Sequence, residues 1–206
     1  RQLRQQIAYF EKVKGRREPV RAYSMASTPD EPYLAITVKE EVFVDGSTEY
    51  PPLLSPLLVH GLTPGMTITV KGYSGHYHLP PDVTEQTDHV VHVVAGSGVV
   101  PNFAMARWAL AHLPTLRQTF VYSNKTWKDV IFARQLAEME ASSGGRLRVL
   151  HCLTREESVP AESPCARLGR IDREILAEAI PDPKGCLVFA CGTAITRWDK
   201  KAARER

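Results

Sequence analysis

The chain has 206 residues, 43% of them hydrophobic and 24% charged, a balance that suits an ordinary soluble protein of one or two domains. Its net charge of +3, from 26 Lys and Arg against 23 Asp and Glu, is too small to argue for nucleic acid, and the basic clusters KVKGRR and DKKAARER read as solvated surface. No apolar run reaches the ~18 residues of a membrane span and the basic N-terminus lacks a signal-peptide core, so a cytoplasmic protein with neither nucleic-acid nor membrane partners is expected.

The first half reads as β. At residues 21–24 the chain sets a cation, an aromatic ring and a hydroxyl in alternation, with Arg21 and Tyr23 on one face of an extended segment and Ser24 on the other. A core strand would carry aliphatic residues there. YLAITVKEEVFV (33–44) alternates and is rich in β-branched and aromatic residues, PLLSPLLVHGL (52–62) is a short helix or turn, and MTITVKGY (66–73) alternates again. After Pro81 the pattern changes. HVVHVVAG (89–96) is a continuous apolar run, as expected of a parallel strand buried on both faces, and FAMARWALAHL (103–113) is helical. A strand (118–123), a helix (127–141), a strand (146–153), a loop, a helix (172–180) and a strand (186–192) follow, the grammar of βαβ units in a doubly wound sheet. An antiparallel β domain is therefore expected over 1–84 and an α/β doubly wound domain over 85–206.

AGSGVVP (95–101) is the sharpest local motif. A glycine-rich turn between a strand and a helix lets backbone N–H groups approach a pyrophosphate, and the helix N-terminus adds about half a positive charge. It is not the G-x-G-x-x-G fingerprint, because Pro101 stands at the third glycine, nor a nucleophile elbow, because Ala95 and Val99 flank Ser97. Cys186 and Cys191 are spaced as the opening of a plant-type iron–sulfur motif, but the C-x2-C that must accompany it is missing, so the four cysteines read as reduced thiols. His76, His78, His89 and His92 come in pairs without the carboxylates to complete a metal site, and no metal is expected.

Taken together, these stretches resemble the ferredoxin-NADP reductase superfamily, over roughly residues 19–199. The resemblance implies a flavin-binding β-barrel followed by a nucleotide-binding α/β domain, with FAD and NAD(P)H as cofactors. Arg21, Tyr23 and Ser24 match the family's R-x-Y-S motif, in which Arg holds the flavin diphosphate, Tyr packs on the isoalloxazine and Ser bonds near flavin N5. Val38 and Lys39 stand where the family continues its flavin contacts. Ser55 resembles the serine of its G-x-x-S phosphate turn, with Pro52 in place of glycine, and Gly72, Gly75 and Tyr77 resemble the segment that closes the flavin domain. Gly96, Ser97, Gly98 and Pro101 match the G-T-G-x-x-P loop. VYSNKTWKDVIF is similar to a segment of the oxygenase-reductase branch, in which Ser123, Asn124 and Lys125 would face the adenosine end of the nicotinamide nucleotide. Cys191 and Gly192 match the C-G-P motif beside nicotinamide and flavin, with Thr193 in place of proline; Ser24, Tyr23 and Cys191 would stand nearest the hydride.

The family has several strands before R-x-Y-S, whereas 20 residues precede Arg21 here, so the barrel is expected to be incomplete at its start. The implied activity is hydride transfer from NAD(P)H to FAD and then single-electron transfer to a ferredoxin or an iron–sulfur oxygenase component. Two alternatives stay open: a nonenzymatic nucleotide-binding or regulatory module of the same fold, which Pro52 and Thr193 favour, and a flavin reductase or diaphorase without an iron–sulfur partner.

Overall fold

The computed structural model describes residues 21–40 and 54–192. They divide into two compact units, one made of 21–24, 36–40 and 54–75, the other of 25–35 and 76–192.

The larger unit is built on a five-stranded sheet. Its strands are β1 (His89–Ala95), β2 (Arg117–Asn124), β3 (Leu147–Leu153), β4 (Arg167–Leu168) and β5 (Leu187–Cys191). All pairs are parallel, in the order β4-β3-β2-β1-β5. The chain steps outward from β1 to β4 and then returns to the far side of β1 for β5. Such a reversal opens a crevice beyond the C-terminal ends of the two strands at which it occurs, here β1 and the edge strand β5.

Burial on both faces explains the unbroken apolar run of β1, in which Val90, Val91 and Val94 are wholly enclosed. On one face, Val94, Phe120, Tyr122 and Leu147 pack with Val99, Phe103 and Ala106 of α1 (Val99–His112) and Leu136 of α2 (Ala133–Ser142). On the other, Val121, Leu150 and Cys152 meet Ile175 and Ala179 of α3 (Arg173–Ala179). The Asp172 side chain caps α3 by accepting from Ile175 N–H at 2.9 Å. Residues 25–35 are tied to this unit by Arg107 of α1, whose two guanidinium nitrogens donate to Glu31 at 3.1 and 2.9 Å. That fork, with Tyr33 O–H and Thr28 N–H, holds the Glu31 carboxyl down at about 2.

Several sequence-derived elements shift. α1 begins at Val99, four residues before the expected start, and Pro101 fits its first turn because that position needs no N–H donor. The helix expected over 127–141 is broken. Trp127–Asp129 is a 3-10 turn closed by a Thr126/Asp129 capping box, and Phe132 sits in the left-handed region at φ 62° before α2 begins. Tertiary contacts outweigh helical periodicity there: Phe132 stacks on Phe103 at 4.0 Å, and Ile131 N–H donates to Tyr122 Oη at 3.1 Å. The stretch read as a loop after β3 contains β4, and Val83–Gln86 forms one helical turn.

In the smaller unit, residues 54–61 are helical, as Leu54–Pro56 followed by the π turn Leu57–Gly61. The strands expected at 33–40 and 66–73 do not form among the described residues beyond isolated bridges. Alternation gives a segment two faces, but a strand also needs a partner backbone, and Met66, Ile68 and Val70 all stand more than half exposed. No barrel is therefore seen among the described residues. The rest of the expected barrel, with Pro52, lies outside them, as does Thr193.

Candidate functional site

The site gathers at the switch point. β1 ends at Ala95 in extended backbone, Gly96 turns into the left-handed region at φ 53°, and the 3-10 turn Gly96–Gly98 leads directly into α1. A Cβ on Gly96 would meet nothing within 4 Å, so this glycine faces open space. Gly98 is the opposite case. A Cβ there would collide with the Cys191 carbonyl oxygen and lie 2.6 Å from Cys191 C and 2.9 Å from Gly192 N. A Cβ on Gly192 would in turn come within 3.1 Å of Ala95 Cβ. Two motifs almost a hundred residues apart in sequence thus meet backbone to backbone, which only glycine permits.

Side chains secure this turn from behind. Tyr122, buried on β2, donates from its hydroxyl to Gly96 O at 3.1 Å and accepts from Ile131 N–H. Burial pushes its phenol up to about 12, so it remains a donor at any working pH. Asn102, buried in α1, donates from Nδ2 to Gly98 O at 2.8 Å. The two glycine carbonyls are occupied and do not repel an anion approaching the turn. Replacing Tyr122 with Phe is expected to cost about 1–3 kcal/mol, the penalty of a buried group left unpaired, since both Gly96 O and Ile131 N–H lose their partner. Urea unfolding checks this; a variant within 0.5 kcal/mol of the parent, the ordinary surface scatter, would contradict it.

Ser97 is exposed at the mouth of the crevice, Pro101 is half-buried, and Cys191 is half-buried on its floor. Burial raises the Cys191 thiol, which keeps it protonated and suits a contact surface better than a nucleophile. β2 brings Ser123, Asn124 and Lys125 alongside, with Ser123 in register with Ala95. Ser123 is half-buried and Lys125 exposed, while Asn124 is only 6% exposed and its Nδ2 and Oδ1 find no partner in hydrogen-bonding geometry. On β3, His151 Nδ1 is also buried without a partner; burial pushes its imidazole down to about 4, and Trp127 stands edge-on to it at 5.0 Å. Unpaired buried polar atoms beside an open glycine turn fit a polar ligand carrying an anion at one end and hydrogen-bonding groups at the other.

The residues matched to the flavin motifs lie in the smaller unit. Arg21, Ser24 and Lys39 are exposed, Tyr23 and Val38 half-buried, and Ser55 buried within the helical segment. Gly72 and Gly75 both have positive φ, and Tyr77, just beyond them, belongs to the larger unit.

Sequence reading passed over Tyr122 and Asn102, and treated His92 only as a metal candidate. His92 lies fully buried, with Nδ1 2.8 Å from Asn102 Oδ1 and Nε2 3.2 Å from Gln118 Oε1. The available signal was a polar residue inside an apolar strand, HVVHVV, which demands an internal partner. Trp108 stacks on His112 of the same helix at 4.8 Å.

The family model described as the oxidoreductase NAD-binding domain matches residues 93–197. Among curated proteins, an NADH-cytochrome b5 reductase 2 of Botryotinia fuckeliana is 27% identical over 158 residues, covering 74% of this chain and 43% of that protein. One component of the 1,2-phenylacetyl-CoA epoxidase of Escherichia coli is 30% identical over 143 residues, covering 68% and 39%. The chain spans about half the length of the curated relatives it matches. Of solved structures, a cytochrome P450 reductase from Amycolatopsis aligns with TM-score 0.60 and 25% identity over 82% of this chain and 46% of that one. A ferredoxin NADP+ reductase from Neisseria gonorrhoeae with bound FAD and NADP shares the fold, at TM-score 0.56 and 20% identity over 90% and 71%. With half its length in the matching model and the switch-point turn built from the motif residues, the chain belongs to the oxidoreductase NAD-binding domain family, within the ferredoxin-NADP reductase superfamily.

Proposed function

We propose that this chain forms the working part of an FAD-dependent NADH oxidoreductase that passes electrons one at a time to a haem protein of the cytochrome b5 kind. The observation that carries the reading is the packing of Gly98 against Cys191–Gly192, which makes one crevice of a glycine turn, a helix N-terminus and a small neutral side chain. FAD, when bound, supplies the change from a two-electron donor to one-electron delivery. Everything else falls to the protein. The turn Gly96–Gly98 and the start of α1 hold the pyrophosphate, with the Ser97 hydroxyl beside it and Pro101 shaping the first turn. Ser123, Asn124 and Lys125 offer a hydroxyl, a carboxamide and a charge to the adenosine end. Cys191 and Gly192 leave room for the flat nicotinamide ring and set its height.

On the flavin side, the Arg21 guanidinium offers fork geometry and charge to the diphosphate, the Tyr23 ring a flat face, and the Ser24 hydroxyl a hydrogen bond at the reactive edge. Val38, Lys39 and Ser55 extend that contact. Hydride transfer from nicotinamide to flavin would ask the protein for alignment and exclusion of water, not for acid or base strength.

Several curated relatives are NADH-cytochrome b5 reductases, which supports NADH as donor and a haem protein as acceptor. A second reading, with a ferredoxin or iron–sulfur oxygenase component as acceptor, is favoured by the oxygenase-reductase-like stretch VYSNKTWKDVIF and by the similarity to the epoxidase component. Supplying FAD and NADH and offering cytochrome b5 and a plant-type ferredoxin in parallel separates the two. Faster reduction of cytochrome b5 is expected, and a preference for ferredoxin would support the second reading. No flavin band and no NADH oxidation would leave a nonenzymatic nucleotide-binding module.

A further inference from the structure

Asn102 occupies a position that the nucleotide reading does not use. It stands in the first turn of α1, wholly enclosed, and its carboxamide makes a separate contact on each side. Nδ2 donates to Gly98 O at 2.8 Å. Oδ1 faces His92 Nδ1 at 2.8 Å and accepts the Tyr77 hydroxyl at 3.2 Å. Chemistry fixes the orientation, because a backbone carbonyl accepts only from the NH2 group, leaving the oxygen for the imidazole N–H and the phenol. His92 is held as firmly. Its ring stacks on Phe120 at 4.3 Å and lies parallel to Phe189 at 6.1 Å, and burial keeps it neutral with one N–H, which the shorter contact to Asn102 takes. Gln118 donates from its own Nε2 to Ala106 O at 3.3 Å, so its Oε1 only lies beside the unprotonated His92 Nε2 and makes no hydrogen bond to it. Tyr77 stands edge-on to Phe189 of β5 at 5.4 Å, two residues before Cys191.

The carbonyl that Asn102 holds belongs to the glycine with no room to move toward β5. A small displacement of Gly98 either drives it into Cys191 or opens the crevice that sets the nicotinamide ring. We propose that Asn102 is a positioning residue for hydride transfer: its carboxamide, locked by His92 and Tyr77, sets how closely the glycine turn seats on Cys191–Gly192. This role rests on the nicotinamide-nucleotide reading of the crevice.

Two variants of the full chain test it. Asn102→Asp keeps the size and the acceptor for His92 and Tyr77 but loses the donor and turns a carboxylate oxygen toward Gly98 O. Hydrogen exchange at the amides of Ser97, Gly98 and Val99 is expected to quicken about tenfold without added nucleotide, the scale of one hydrogen bond, with β3 amides unchanged. The KM for NADH rises about tenfold and kcat falls, while FAD content holds. Tyr77→Phe keeps the ring and the fold and removes one restraint, so its KM rises a few-fold; it carries the test if the first variant fails to fold. Parental exchange rates and parental KM and kcat in both variants would overturn the role while leaving the function standing. A parent chain that binds and oxidises no NADH would overturn the function and the role together.

Discussion

Gly98→Ala is expected to reduce NADH oxidation about 100-fold with FAD affinity unchanged, the largest effect of any single methyl group in this crevice. The added Cβ has nowhere to go: it would overlap the Cys191 carbonyl oxygen and press on Cys191 C and Gly192 N, all backbone atoms at the end of β5 or just beyond it. Backbone does not swing aside like the end of a side chain, so the turn and β5 must part. A misplacement of about 1 Å between reacting groups costs about 100-fold in rate, which sets the size of the effect. Gly96→Ala is the control. Its positive φ of 53° strains an alanine by about 1 kcal/mol, but the methyl enters open space, so a loss of tenfold or less is expected. Steady-state kinetics on the two variants check the ranking. Equal losses, or a more severe loss at Gly96, would contradict the packing of Gly98 as the feature that matters.

Acidification is expected to unfold the larger unit in a window set by its buried histidines, His92 and His151 most of all, with His89 lowered by burial in the same direction. Burial pushes both His92 and His151 down from 6.5 to about 4. Between those values the unfolded chain binds protons that the folded one refuses, so stability rises with pH through the window and falls as pH drops from 6.5 toward 4. At 1.36 kcal/mol per unit, each histidine removes roughly 3 kcal/mol by pH 4. Two of them remove about 6, comparable with the whole stability of many domains. Glu31, held at about 2 by Arg107, acts in the same direction but at lower pH, between its ordinary value of 4.5 and 2, so the two contributions are separable. His151→Phe provides the check. It removes an unpartnered nitrogen, keeps a ring against Trp127, and is expected to match or exceed the parent's stability at pH 7 and to lose about half as much on going to pH 4.5. Urea midpoints at the two pH values read this directly. A variant that loses as much as the parent would show that His151 is not the group refusing the proton.

The parallel sheet was legible because β1, β2 and most of β3 are buried on both faces: HVVHVVA, QTFVYS and RLRVLHCL leave little choice but a doubly wound core. The site was legible in part for a different reason. Gly98 and Gly192 are local requirements of backbone approach and Gly96 of a positive φ, and a requirement of that kind leaves its mark in sequence. The hydrogen bonds that tie the turn down left none that periodicity could find, since Asn102, Tyr122 and His92 each depend on a partner 10 to 26 residues away. Helix α2 shows the same limit. WKDVIFARQLAEMEA has helical spacing throughout, yet Phe132 leaves the helix because Phe103 and Tyr122 reward the break, and neither is visible from within the segment. MTITVKGY fails in the opposite sense, since alternation specifies two faces but supplies no partner strand.

If the crevice where Gly98 meets Cys191–Gly192 presents a nicotinamide nucleotide to flavin, as proposed, NADH must reduce that flavin directly. Anaerobic mixing of the FAD-loaded protein with NADH, followed at the visible flavin band, tests it most directly. The band is expected to bleach in a single rapid phase in the parent and about 100-fold more slowly in Gly98→Ala, with the starting spectrum the same in both. A parent protein that holds FAD but whose flavin band stays unbleached under excess NADH would contradict the account.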